Sequence, residues 1–243
     1  MLRSCISAEL RKLRHSHIGI ILLILPILSV LIGSANFYMN QSVLTKEWYS
    51  LWSQVGLFYG EFFFPILIAI FCAYMWRLEH RNKNWNMIMT APVSRISIFL
   101  SKLTVVGILM VGVQVFFFIL YFLGGKLVGI TSQFPREIFL WLCCGWITAL
   151  TISALQLALS MCIRSFAVPI GIALCAVFIG LGMYVVHLGL FFPNSLLTIG
   201  MGILSQTSLS SGEIILFFLM NLFYILVIST GAIQWMCKSD VVA

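Results

Sequence analysis

Apolar residues fall into six long blocks, roughly 18–37, 60–76, 103–125, 138–162, 167–190 and 213–235. Each can cross a bilayer as a helix, because about 20 apolar residues rising 1.5 Å apiece span the hydrocarbon core. The pattern predicts an all-α membrane protein with six transmembrane helices, and one transmembrane domain over 1–243. Pro26 falls inside the first block and is expected to kink it, which membrane helices tolerate. Between the first two blocks, residues 38–59 mix polar positions with Tyr38, Trp48, Tyr49, Trp52 and Tyr59. Such rings suit the headgroup level, so an external loop with an interfacial segment is expected there. Residues 191–212 are apolar and uncharged but broken by Pro193, Asn194, Gly200 and Gly202. A re-entrant or interfacial pair of short helices fits, with free backbone groups turned to protein or water. Ser210-x-x-Glu213 then reads as a capping box that opens the last span.

Two polar stretches complete the pattern. In 1–17, Leu2, Ile6, Leu10 and Leu13 share one helical face, while Arg3, Glu9, Arg11, Lys12 and Arg14 take other positions. A basic amphipathic helix of this kind suits the membrane surface, apolar face down and charges toward lipid phosphates. The other stretch, 77–102, is the one long polar run between two strongly apolar blocks. It carries Arg77, Arg81, Lys83, Arg95 and Lys102 against one acid, Glu79. Within it Trp85, Ile88 and Met89 fall at i, i+3 and i+4, one apolar face of a short helix over 84–91. Thr90-Ala91-Pro92 ends that helix, because the residue before proline avoids helical dihedrals. Ser94 is placed to N-cap the helix that follows. An exposed Trp and Met face needs a partner surface, either the membrane interface or another subunit.

Composition decides the class. The chain is 61% hydrophobic and 9% charged, with a mean hydropathy of +1.08; a soluble domain carries about 25% charged residues. The net charge of +7 does not indicate nucleic acid, because the basic residues sit at the ends of apolar blocks and not on one soluble face. They report topology. The termini, the 77–102 stretch and the 163–166 turn hold 11 Lys and Arg, against three on the other side, Lys46, Lys126 and Arg136. That split places both termini in the cytoplasm. Arg11, Lys12 and Arg14 ahead of the first block could mimic a signal peptide, but the 18–35 run exceeds a usual h-region and reads as a retained span. Seven cysteines are present without a C-x-x-C, so neither zinc nor a disulfide framework is expected.

Catalytic chemistry is not indicated. His15, His17, His80 and His187 do not share a helix face with a carboxylate at metal-ligand spacing, so no metal site is expected. There is no G-x-S-x-G nucleophile elbow. Gly124-Gly125-Lys126 resembles the end of a P-loop, but the earlier glycine is missing, position 120 being Leu. Polar groups inside the apolar blocks are few: Glu61, Gln114, Gln156, Asn221 and Gln234. Glu61 is expected at the outer end of the second span, either as an interfacial capping group or as part of a transport path, with Gln114 and Gln156 as further path candidates. The amides are expected to bond between helices. Gly56-x-x-x-Gly60 and Gly125-x-x-x-Gly129 match a close-packing spacing at span edges.

At the 77–102 stretch the chain resembles the ABC-2 type permeases. Members carry an acidic-basic pair ending the second span, a short helix, a Pro-x-Ser-Arg element and a basic residue opening the third span; here these are Glu79 and Arg81, Trp85 to Met89, Pro92, Ser94 and Arg95, and Lys102. The variant Glu79-His80-Arg81-Asn82-Lys83-Asn84-Trp85, in place of Glu-Arg-Gly-Thr, is similar to the lantibiotic immunity permeases. The resemblance implies an ABC-2 exporter (type V) fold, with 1–17 as elbow helix, 84–91 as coupling helix and 191–212 as a re-entrant segment. It implies a bacterial cell-membrane permease that exports a cationic peptide antibiotic. Its partners would be cytoplasmic ATPase subunits and a second permease, identical or different. Glu79, Arg81, Trp85, Ile88, Met89, Pro92, Ser94 and Arg95 would form the ATPase interface. ATP and Mg2+ would be bound by that partner and no cofactor by this chain. A permease for another lipid, polysaccharide or drug, and a non-transporting sensor or assembly protein, are the alternative readings.

Overall fold

A computed structural model describes residues 2–14, 16, 18–80 and 84–238, with the side chains of Asn84 and Met89 left out. All regular structure among them is helical. Six helices are long and apolar enough to cross a membrane: Ile18–Met39, Glu47–His80, Arg95–Leu127, Glu137–Cys162, Ala167–Val185 and Ser211–Lys238. A first helix, α1 (Leu2–Leu13), precedes them. We call the spans α2 (Ile18–Met39), α3 and α4 (Glu47–Gly56 and Phe64–His80, joined by a π-helical stretch, Leu57–Phe63), α6 (Arg95–Leu127), α7 (Glu137–Cys162), α8 (Ala167–Val185) and α10 (Ser211–Lys238). Between them, among the described residues, lie the short α-helices α5 (Asn84–Thr90) and α9 (Pro193–Gly200) and one 3-10 turn, Gly189–Phe191.

The second span departs most from expectation. The expected loop over 38–59 shrinks to residues 40–46, since the next helix starts at Glu47 and runs unbroken for 34 residues. Trp48, Leu51, Trp52, Val55 and Tyr59 fall on one helical face and are all buried. Their rings fill the bundle instead of lying at headgroup level. Trp52 packs on Phe117, Tyr121 and Trp141 with ring centroids 5.9, 5.2 and 5.5 Å away. Tyr59 stacks flat on Phe117 at 3.6 Å. Aromatic period outweighed aromatic polarity as the signal.

Small residues set the helix spacing. A Cβ built on Gly33 of α2 would lie 2.5 Å from the Val55 Cα of α3. One turn earlier, Ser29 donates to the Val55 carbonyl at 3.0 Å. Ser29-x-x-x-Gly33 is therefore the close-packing pair that brings α2 against α3, by the logic of small residues at membrane helix contacts. Gly60 is equally crowded, its Cβ position 2.5 Å from Ile203 Cδ1, so Gly56-x-x-x-Gly60 receives the 201–203 turn and not another span.

Ends are marked largely as the sequence predicts. Ser94 N-caps α6, accepting from the Ser97 N–H at 3.2 Å. Ser210 and Glu213 form a reciprocal capping box, with Ser210 N–H to Glu213 Oε2 at 2.9 Å and Glu213 N–H to Ser210 Oγ at 3.4 Å. Pro26 lies inside α2, whereas Pro135, a residue suited to a first helical turn, stays outside α7, which starts at Glu137 after the cap residue Arg136. α8 stops at Val185, short of residue 190, where His187 enters the left-handed region at φ 60°.

α9 is almost wholly enclosed, burying Pro193 to Thr198 and Gly200. Its polar groups turn to protein: Ser195 donates to the Gly180 carbonyl at 2.9 Å, and Trp52 Nε1 donates to the Met201 carbonyl at 2.8 Å. That satisfies a broken segment's backbone without solvent.

Candidate functional site

The densest chemistry lies where α1, α4 and α6 meet. Lys102, two turns into α6, is fully buried. Its ammonium donates to Glu79 Oε1 at 2.8 Å and to Glu9 Oε2 at 3.0 Å, and lies 4.9 Å from the Trp76 ring centroid. Lys12 donates to the same two carboxylates, to Glu9 Oε1 at 2.9 Å and to Glu79 Oε1 at 2.5 Å. Two acids and two bases thus close a neutral box, the arrangement that lets buried charge persist. Glu9 is only 7% exposed. It is turned into the bundle, not out toward lipid phosphates, because Lys102 would otherwise be a buried cation held by one carboxylate. On α1 the apolar face is split accordingly: Ile6 and Leu13 pack on the core, while Leu2 and Leu10 stay exposed.

Burial lowers the Lys12 pKa, but hydrogen bonds and charges from Glu79 and Glu9 outweigh it and hold the ammonium above its ordinary 10.5. A base raised on folding stabilises fully below its unfolded pKa and loses that contribution as pH rises through the folded value. The Lys12 contacts therefore weaken only above about pH 10.5, and they are no proton switch near neutrality.

From this box a chain of rings leads to α5. Trp76, beneath Lys102, packs against Trp85 at 5.7 Å. Trp85 also stacks on His80 at 5.5 Å and meets Trp235 of α10 at 6.2 Å. Next to it, Arg95 Nε donates to the Met236 carbonyl at 3.3 Å and ties the start of α6 to the end of α10. The expected outward face of α5 is therefore revised. Trp85 and Ile88 are half-buried against the chain's own core, and among the described side chains of α5 the exposed apolar one is Met87, 70% accessible. The side chain of Met89 and all of Arg81 lie outside the described residues. The i, i+3, i+4 spacing identified a face but could not say which partner it meets, and Trp76 and Trp235 had already filled that role. Pro92 is exposed and follows the last turn of α5, which ends at Thr90.

The path candidates lie elsewhere. Glu61 is not at the outer end of its span. It sits in the π-helical stretch, 4% exposed, and accepts from Thr198 Oγ1 of α9 at 2.6 Å. It moved inward because the helix starts 13 residues earlier than position 60, at Glu47. Gln114 and Gln156 are buried, and neither the Gln114 amide nor Gln156 Oε1 finds a hydrogen-bond partner among the described residues. Asn221 does bond between helices, accepting from Thr151 Oγ1 at 2.7 Å. No group of three His, Cys, Asp or Glu side chains able to hold a metal occurs among the described residues.

One family comparison decides the class: a model described as ABC-2 family transporter protein matches residues 5–180. The chain belongs to the ABC-2 family. The match takes in most of α1, the ion box, α5 and most of α8 of this ABC-2 permease. No curated protein matches it. Permeases of this family are multi-pass membrane transport components that normally work with a cytoplasmic ATPase. In this permease, Glu79, Trp85, Ile88, Ser94, Arg95 and Lys102 come together at one end of the bundle, and Glu61 stands apart from them. Glu9 was the residue that sequence reasoning missed. Its signal was present as a lone acid among the bases of α1.

Proposed function

We propose that the chain is the permease subunit of an ABC exporter that moves a membrane-lodged, lantibiotic-type cationic peptide outward and so protects the producing cell. The single observation that carries the mechanism is the unbroken contact line from α5 through Trp85 and Trp76 to Lys102 and the α1 box. Force applied to a short helix is useful only if the helix is fastened to what must move. Here α5 is the coupling helix and α1 the elbow. Both lie on the cytoplasmic side of a bacterial membrane, as do both termini, by the 11-to-3 distribution of basic residues. A separate ATPase binds ATP and Mg2+, seats against Met87 and the Pro92–Ser94–Arg95 corner, and favours one permease state through contacts that differ between the two. A second permease, a copy or a relative, completes the dimer. α9 is the re-entrant segment. Glu61, Gln114 and Gln156 belong to the cargo path, with the Glu61 carboxylate meeting the peptide's cationic groups. The cargo class rests on the Glu79–Trp85 sequence variant and its likeness to lantibiotic immunity permeases.

Two outcomes test this. Met87→Glu puts a charge on the exposed side of α5 and is expected to lower co-purification with the ATPase at least tenfold, while leaving the permease in the membrane. Retention of full binding would remove α5 from the interface. Glu61→Gln keeps size and the Thr198 contact but removes the charge, and is expected to restore peptide sensitivity to cells that express the transporter. Unchanged resistance would take Glu61 out of the path.

A further inference from the structure

The outward side of α1 carries charge that the ion box does not use. Of the three basic residues in α1 and Arg14 just past its end, only Lys12 forms an ion pair among the described residues, with Glu9 and Glu79. Arg3, Arg11 and Arg14 are exposed and have no acidic partner among the described residues. Ser7 and Arg11 fall at i and i+4 on one face of α1, and Arg14 sits in the turn just beyond, its N–H bonded to the Arg11 carbonyl at 3.3 Å. Beside it a crevice between α1 and α6 is lined by Ser7, Leu10, Arg11, Leu13, Arg14 and Leu109. It is shallow, and its lining mixes two guanidiniums and a hydroxyl with three leucines. Leu109 lies seven residues beyond Lys102 on α6, about 10 Å further along the helix axis and deeper into the span. The crevice therefore joins basic side chains to an apolar wall that continues into the span at Leu109.

We infer that this crevice binds one anionic glycerophospholipid, its phosphate held by Arg11 and Arg14 and an acyl chain laid along Leu10, Leu13 and Leu109. Guanidiniums match phosphate oxygens with paired N–H donors. Leu10, 40% exposed at the same place, would be a poor choice against water and a good one against an acyl chain. A free phosphate uses the rim alone and leaves the leucine wall uncovered, which is why the lipid is the better occupant. The site also bears on regulation. Arg11 is next to Lys12, so a lipid seated here braces α1 in the position from which Glu9 reaches Lys102. The inference needs α1 at a membrane surface and does not depend on the cargo or on the ATPase.

The test uses the full chain purified in a neutral detergent, read by thermal unfolding and by native mass spectrometry. Dioleoyl-phosphatidylglycerol is expected to raise the melting temperature and to give a one-lipid adduct, and dioleoyl-phosphatidylcholine to do neither. Each juxtamembrane Arg is worth a factor of about 5 in binding, so R11Q/R14Q should weaken the phosphatidylglycerol affinity about 30-fold. L109S should weaken dioleoyl lipid as well. R136Q, on a basic residue far along the chain from α1, should change nothing. An equal shift from phosphatidylcholine, or a full shift retained in R11Q/R14Q, overturns the site. An equal shift from glycerol 3-phosphate or inorganic phosphate, with L109S silent, overturns the lipid and leaves an anion site.

Discussion

Lys102→Met is expected to cost the permease about 3–5 kcal/mol, the usual result of removing one partner from a buried ion pair. Methionine matches the lysine stem in length, so the loss measures charge and not volume. What remains is Glu9 and Glu79 sharing Lys12, one negative charge too many in a closed place. Glu79→Gln alone leaves the opposite imbalance, with Lys102 and Lys12 facing one carboxylate, and should also destabilise. The double variant, Lys102→Met with Glu79→Gln, restores neutrality and is expected to recover more than half of the loss. Equilibrium unfolding in mixed micelles checks this through the coupling energy of the cycle, which should exceed about 1 kcal/mol. Strict additivity would show that the four residues do not act as one unit. The same cycle built with Glu9→Gln should give the same sign, although Glu9 and Lys102 are 93 positions apart.

Gly33→Val is expected to cost about 3 kcal/mol, the upper end of what overpacking does in a filled interior. The added carbons meet backbone and not a side chain that can swing away: Val55 Cα at 2.5 Å and Val55 N at 2.7 Å from the Cβ position. α2 and α3 must part, and the Ser29 bond to the Val55 carbonyl lengthens with them. Gly112→Ala on α6 is the matched control, because nothing lies within 4 Å of its Cβ position. There the substitution should be neutral or gain up to about 1 kcal/mol, from the lower backbone entropy of alanine in a helix. Melting temperatures of the two variants in one detergent compare them directly. Equal effects would mean that α2 does not rest on Val55.

The six spans were legible because long apolar runs leave a chain few other choices. Thr90-Ala91-Pro92 and Ser210-x-x-Glu213 were legible because termination by proline and reciprocal capping are local events. What escaped was set by distance. Nothing near Glu9 in sequence shows that Lys102 waits for it. Glu9 therefore read as one more polar residue on a surface helix. Trp48 and Trp52 escaped for another reason. A tryptophan has one polar atom and a large apolar body, so it fits an interface as well as a core. Only the full run of Trp48, Leu51, Trp52, Val55 and Tyr59 tips the balance to core. Trp85 was found but its direction was not, since the rings that hold it, Trp76, His80 and Trp235, come from both sides of it in the chain.

The π-helical stretch Leu57–Phe63 has a mechanical meaning. It stores extra residue within a helix whose upper half is pinned by Gly33 and whose lower half ends in the Glu79 box. Winding one such residue back into regular α-helix turns everything below it by about 100° and lengthens the rod by about 1.5 Å. Under the proposed coupling role of α5, thrust there would reach Glu61 as a twist, the way a screw thread converts thrust to rotation.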